Sequence, residues 1–283
     1  MAEIEILIFE TIDSIKSRPN FLSPIDIKSS NDERFDRIVG PYHIKGEKIL
    51  CGISSCRTPN LHGVVIALRD GTETNVGKDC GAGHFNAEFS VELKRHNALY
   101  NRYLKQNRVR ALKSHPEKLE RLIKLCEEYT AYKSKRLSLR GTLDRGQDAR
   151  LTQMGRKKDG RIFRHETIKG KELEAYYETN PAAKRAGIVP TNEILLGEIL
   201  GVAFFGTTHR DEEILNLVAP MKQIFASSDE EIASWKEREL NAAHRLVGSI
   251  DQEMDKLETL LEQGRKFFER DNLDRLSLIG IAA

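Results

Sequence analysis

The chain is short of several things, and each shortage excludes a class. Only four cysteines and one tryptophan occur in 283 residues, too few thiols for a disulfide scaffold. Eight prolines and twenty glycines rule out collagen-like or proline-rich character. Apolar runs are short, such as ILIF at 6–9 and VVIAL at 64–68. Neither approaches the ~20 residues of a membrane span. The opening MAEIEILIFE is acidic and has no basic region before its apolar part, so no secretory signal is expected and the protein is read as cytoplasmic. HExxH and GxxxxGK[ST] are missing, as is His-x-Glu with Pro-Cys-x-x-Cys. This removes the usual zinc-protease, P-loop and deaminase signatures.

Hydrophobic residues make up 39% and charged residues 31%, a balance that suits long exposed helices better than one thick core. The net charge of +2 hides an asymmetry. Residues 133–164 hold eleven Lys or Arg against three Asp, whereas 211–275 hold sixteen acidic and nine basic residues. One end is thus suited to an anionic partner and the other to solvent or a protein surface.

The cysteines are not scattered. Cys51, Cys56 and Cys80 fall in the stretch CGISSCRTPNLHGVVIALRDGTETNVGKDCGAGH, which also holds His62 and His84. In a reducing compartment, clustered cysteines among turn residues point to a metal. Thiolate and imidazole donors favour zinc, in a closed structural site of four ligands. Cys80 and His84 are four residues apart, so one helical turn places them on one face. The expected ligands are Cys51, Cys56, Cys80 and His84, with His62 the rival fourth. Four or five soft donors with few acids nearby favour a structural ion over a catalytic one. Cys126 falls on an apolar helical stripe, where a buried thiol is expected.

Around this stretch, HGVVIALRD at 62–70 and TETNV at 72–76 read as strands joined by an Asp70-Gly71 turn, with a further strand at 41–50. Residues 3–17 carry Ile4, Leu7, Ile8, Ile12 and Ile15 at helical spacing, with a strand through EIEILIF as the competing reading. A short helix is expected near 32–39. Helices are predicted over 88–113 and beyond Ser114-His115-Pro116, with Ser114 as the cap. Gly141, Gly146, Gly155, Gly160 and Gly170 break the periodicity of 138–170; with RIFRHETI at 161–168 alternating after KKDG, the stretch reads as a small basic hairpin insert or a flexible loop. A short helix is placed at 172–178. TNEILLGEILGVAFFG at 191–206 reads as an apolar core helix, followed by one at 211–225. From Ser227-Ser228-Asp229-Glu230-Glu231 a single long helix is predicted over 229–270, pairing antiparallel with the helices of 88–135 or with a second copy.

The fold class predicted is α+β, mostly α: long antiparallel, coiled-coil-like helices carrying a small zinc-stabilised β-hairpin module and a basic hairpin insert. The segments are 1–40 (N-terminal helical), 41–87 (zinc-binding hairpin), 88–137 (helical arm), 138–190 (basic insert) and 191–283 (C-terminal helical region). Knuckle, hairpin and then a helix bearing the last ligands resembles the treble-clef group of zinc modules over about 51–90. The first pair here is Cys-x4-Cys rather than Cys-x2-Cys. That resemblance implies a structural zinc, and with the composition it fits a bacterial or phage accessory factor. The basic residues expected to meet phosphates are Arg156, Lys157, Lys158, Arg161 and Arg164 in the insert, and Arg102, Lys105, Arg108 and Arg110 on the first helix. The function expected is non-enzymatic: binding nucleic acid, DNA or RNA, or bridging it to protein partners through the long helix. A helical interaction scaffold without nucleic acid is the alternative. A metal-dependent nuclease is the second alternative, since the treble-clef scaffold also underlies a group of such enzymes.

Overall fold

The computed structural model describes residues 7–27, 32–85 and 87–281, apart from the side chains of residues 209 and 210. The protein is α+β and mostly helical, with eleven α-helices among the described residues. It divides into two compact units, one up to Arg108 and one from Val109.

The first unit is built on a three-stranded antiparallel sheet of β1 (Phe35–His43), β4 (His62–Leu68) and β5 (Glu73–Val76), in the order β1-β4-β5. The β4–β5 hairpin turns where expected. Gly71 has φ +86, a left-handed conformation that costs glycine little, and Asp70 accepts from the Thr72 N–H at 2.9 Å. Between β1 and β4 the chain makes a two-residue pairing, β2 (Ile49–Leu50) with β3 (Pro59–Asn60). After β5 comes α2 (Lys78–His84), then α3 (Ala87–Leu112). Val64, Ile66, Phe35, Phe85 and Phe89 pack in one core, which also contains the fully buried Cys51. A second core gathers Phe9, Ile15, Tyr42, Ile44, Ile49 and Val65.

Two expectations fail here. The helix near 32–39 is instead the start of β1: Phe35 and Ile38 are both buried and pair with Leu68 and Ile66, on either side of a register shift between Phe35 and Arg37. The helix over 3–17 shrinks to α1 (Ile12–Lys16), capped by Thr11 and Ser14. Phe9 bridges Tyr42 of β1 instead. The part of that expectation on residues 3–6 lies outside the described residues.

The second unit centres on α4 (Pro116–Thr142) and α10 (Glu237–Phe267). His115, not Ser114, occupies the cap position of α4, with Pro116 in the first turn. Leu122, Leu125, Cys126 and Tyr129 of α4 share a core with Leu240, Leu246, Ile250, Met254, Leu257 and Leu261 of α10. Cys126 is the buried structural thiol expected of it, and burial pushes its thiol up to about 11. The two helices run parallel rather than antiparallel. Lys118 pairs with Asp251, Arg121 with Asp255 and Glu128 with Arg265, so residue numbers climb together along both.

The helix expected over 229–270 is broken. Ser228 and Glu231 form the predicted capping box of α9 (Asp229–Ser234). Trp235 and Lys236 are then extended, and α10 restarts where the Lys236 N–H donates to the Glu239 carboxylate at 2.8 Å. At 31 residues, α10 is about 46 Å long, at ~1.5 Å per residue. The predicted helix at 211–225 is a 3₁₀ segment, His209–Leu217, running into α8 (Val218–Ala226).

The basic insert is also reorganised. α5 (Arg145–Lys157) fills what reads as a glycine-broken loop, capped reciprocally by Asp144 and Gln147. The strand at 161–168 is β6 (Arg161–Thr167), and its partner is β7 (Thr191–Glu198). The expected core helix over 191–206 is therefore a strand whose residues are mostly exposed, followed by a 3₁₀ turn at Val202–Phe204. α6 (Lys171–Thr179) and α7 (Pro181–Arg185) lie between the strands in sequence. Only the base of the ribbon is anchored: Ile162, Ile199, Val202 and Phe205 join Leu151 of α5 and Phe267 in a core of their own. A short α11 (Arg270–Asp274) and a 3₁₀ turn at Arg275–Ile279 close the chain.

Candidate metal centre

The β2–β3 pairing decides where the first two cysteines go. Cys51 follows β2, and its N–H donates to the Thr58 carbonyl at 2.8 Å. The chain then folds back tightly. The N–H groups of Cys56 and Arg57 both donate to the Ile53 carbonyl, and Arg57 takes the left-handed φ of 51°. This turn directs Cys56 back toward Cys51. On the far side, Gly77 leads into α2, whose first turn presents Cys80. The glycine richness of CGAGH has a steric reason: a Cβ on Gly81 would lie 2.2 Å from the Phe89 ring, so the helix seats Cys80 this deeply only with glycine there.

The three sulfurs, from residues 29 apart at the extremes, lie within 4.8 Å of one another. Cys51 Sγ and Cys80 Sγ are 3.4 Å apart. All three are free thiols; Cys51 is buried and the other two are half-buried. A tetrahedral ion with Zn–S bonds of about 2.3 Å holds its sulfurs roughly 3.8 Å apart, so the donor set fits a metal of that kind. The thiols differ in acidity. The Thr58 hydroxyl, 3.3 Å from Cys56 Sγ, brings the Cys56 thiol down to about 7. Burial, followed by the two neighbouring thiols, pushes Cys80 well above the ordinary thiol range. In a metal-free cluster, each charge formed on one thiol disfavours ionisation of its neighbours. A cation at the centre reverses that balance.

Neither His62 nor His84 is grouped with the three thiols. His84 ends α2 and is half-buried. His62 opens β4 on the solvent side, where its ring stacks on that of His43 with centroids 4.1 Å apart. Among the nearby acids, Glu73 is also committed elsewhere: it is 5% exposed and pairs with Arg18.

The expected phosphate-binding residues fall into three groups. Arg156, Lys157 and Lys158 are exposed at the C-terminal end of α5 and form no ion pair among the described residues. Arg161 and Arg164 are exposed but neutralised, by Asp159 at 2.8 Å and Glu166 at 2.5 Å. Arg102, Lys105 and Arg108 each engage another group of the protein, and Arg110 donates to the Asp229 carbonyl at 3.0 Å. A buried polar network lies behind part of the basic stretch. Arg136, 4% exposed, donates to Glu212 and to the Phe204 carbonyl, and Tyr129 and Lys133 bond the same Glu212. Lys133 and Arg136, which count toward the basic 133–164 stretch, are bonded to Glu212 instead. Their positions three apart on α4 were the available signal that they share one partner.

No helix among the described residues is long and apolar enough to cross a membrane. Comparison of the chain with family models, curated proteins and solved structures returns no match.

Proposed function

We propose that the protein is a non-enzymatic, zinc-stabilised nucleic-acid-binding protein. The observation that carries the zinc half is the convergence of three thiols, from two separate turns, within 4.8 Å. Three thiolates are soft donors, and in this reading the fourth position belongs to His84, one helical turn beyond Cys80. The ion ties the Cys51–Cys56 turn to α2 and so fixes the loop ends of the β4–β5 hairpin, in the manner of a treble clef. Binding releases the thiol protons, so metal affinity rises with pH.

The nucleic-acid half rests on the exposed Arg156-Lys157-Lys158 step beside the β6–β7 ribbon. Unpaired Lys and Arg supply phosphate affinity without reading sequence. Phe163, 37% exposed, offers a ring for base stacking, with Arg161 5.7 Å from its centroid. The deciding experiment has two arms. Metal analysis of purified protein is expected to give about one zinc per chain, and Cys51→Ser and Cys80→Ser are expected to lose it. Filter binding at low salt is expected to retain single-stranded and duplex nucleic acid. Zinc without retention leaves a scaffold, and retention with divalent-metal-dependent cleavage leaves a nuclease.

A further inference from the structure

His43 and His62 face each other at the last pairing position of β1 and β4. Residues directly opposite on antiparallel strands hold their Cβ atoms about 4.5–5.5 Å apart. Here the two imidazole rings lie with centroids 4.1 Å apart and planes inclined by 33°. Both side chains are exposed, and neither ring makes a hydrogen bond or ion pair with any described residue. The backbone around them is firmly held: the His43 N–H donates to the Phe9 carbonyl at 2.9 Å, and the Ile44 N–H to the Leu61 carbonyl at 2.9 Å. Tyr42 and Gly63, the neighbouring pair in the register, are buried. The rings are thus mounted side by side at the end of the β1–β4 ladder, with no hydrogen-bond or ion-pair partner among the described residues.

We propose that His43 and His62 form a second transition-metal site, exposed and separate from the cysteine cluster. Neutral imidazole is a good ligand for zinc, nickel and copper. Two nitrogens bound side by side at about 2.0–2.1 Å stand roughly 3 Å apart, within reach of adjacent rings turning about their Cα–Cβ and Cβ–Cγ bonds. Among the described residues no third cysteine, histidine or carboxylate joins the pair. The protein therefore supplies two ligands, and the remaining positions are open to water or to an anionic oxygen from a bound molecule. An open, two-ligand site binds more weakly than a closed one and exchanges with solvent. The geometry also gives His62 a role other than fourth ligand to the cysteines.

The test is a zinc titration of the full chain at neutral pH, followed by calorimetry, with His43→Asn and His62→Asn beside the unaltered protein. The expected result is a tight ion that survives dialysis and a second, weaker ion that does not. Each single substitution abolishes the weak ion and spares the tight one, with circular dichroism unchanged because both side chains are exposed. If the cysteine cluster holds no metal, the isotherm shows one weak equivalent that still vanishes in both variants, so the two readings fail separately. The proposal is overturned if the unaltered protein takes no weak ion, or if either variant keeps it. It is equally overturned if His62→Asn loses the tight ion while His43→Asn does not, which would assign His62 to the cysteines.

Discussion

Cys51 Sγ lies 3.4 Å from Cys80 Sγ, although the two are separated by a turn, a hairpin and the start of a helix. Free thiols that close gain little from each other, whereas a shared cation binds both. Removing one ligand leaves the others without a common partner. Cys51→Ser is therefore expected to lose the metal and to loosen the β2–β3 turn and α2, while Cys126→Ser keeps the metal. Metal content and the thermal melt of both variants check this. A metal-free parent that melts at the same temperature with and without chelator would refute the structural role.

Gly81 and Phe89 make the same argument from sterics. A methyl group at position 81 would meet the Phe89 ring at 2.2 Å, and that ring is fully buried against Phe35 and Phe85. Overpacking a core of this kind costs about 1–3 kcal/mol. Gly81→Ala is expected to destabilise the first unit by that amount. Gly83→Ala on the same helix has nothing within 4 Å and should be neutral or mildly stabilising, since alanine favours helix over glycine. Chemical denaturation of both variants gives the comparison.

Glu212 gives a pH signature. Burial pushes its carboxyl up, but hydrogen bonds from Lys133, Arg136 and Tyr129 outweigh that and hold it below the ordinary carboxylate range. A carboxyl depressed in the folded state stabilises fully above its unfolded value of about 4.3, and the contribution fades as pH falls through the folded value. Acid is thus expected to weaken the second unit below about pH 4, and Glu212→Gln should flatten part of that dependence. Glu212→Ala leaves Arg136 buried without its carboxylate and is expected to cost about 3 kcal/mol. Urea denaturation monitored at neutral and acidic pH reads both effects; equal acid sensitivity in parent and Glu212→Gln would sink the assignment.

What the sequence shows of this protein follows the range of the forces involved. The Asp70-Gly71 hairpin, the Ser228–Glu231 cap and the helix through Cys126 are local, and each is legible from a few neighbouring residues. The cysteine cluster is legible because rare residues gathered within one supersecondary unit. β7 is not: Ile194, Leu195 and Leu196 fit a helix as well as a strand, and only pairing with β6, about thirty residues back, decides between them. α5 was obscured by Gly146 and Gly155. The second of these is there because a Cβ would lie 2.4 Å from the Gly206 nitrogen, a contact between segments about fifty residues apart. The Asp144–Gln147 capping box was the local signal that outweighs those glycines. The parallel course of α4 and α10 is a matter of topology, to which hydrophobic periodicity is blind.

The basic residues provide the last prediction, and they separate by pairing rather than by charge count. Arg161 is tied to Asp159, whose carboxyl the Arg161 guanidinium brings down to about 2. An arginine so neutralised must give up that partner before it meets a phosphate. Arg156, Lys157 and Lys158 form no ion pair among the described residues, although Lys157 adds to the field on Asp159. Each duplex phosphate neutralised contributes about 0.9 to the slope of log affinity against log salt. Replacing all three with alanine is therefore expected to lower the slope by up to about 2.7 and to weaken binding to every sequence alike. Arg161→Ala should move it far less. The measurement is filter binding of a mixed-sequence duplex and a single strand across a salt series. An unchanged slope in the triple variant would remove this ridge from the interface.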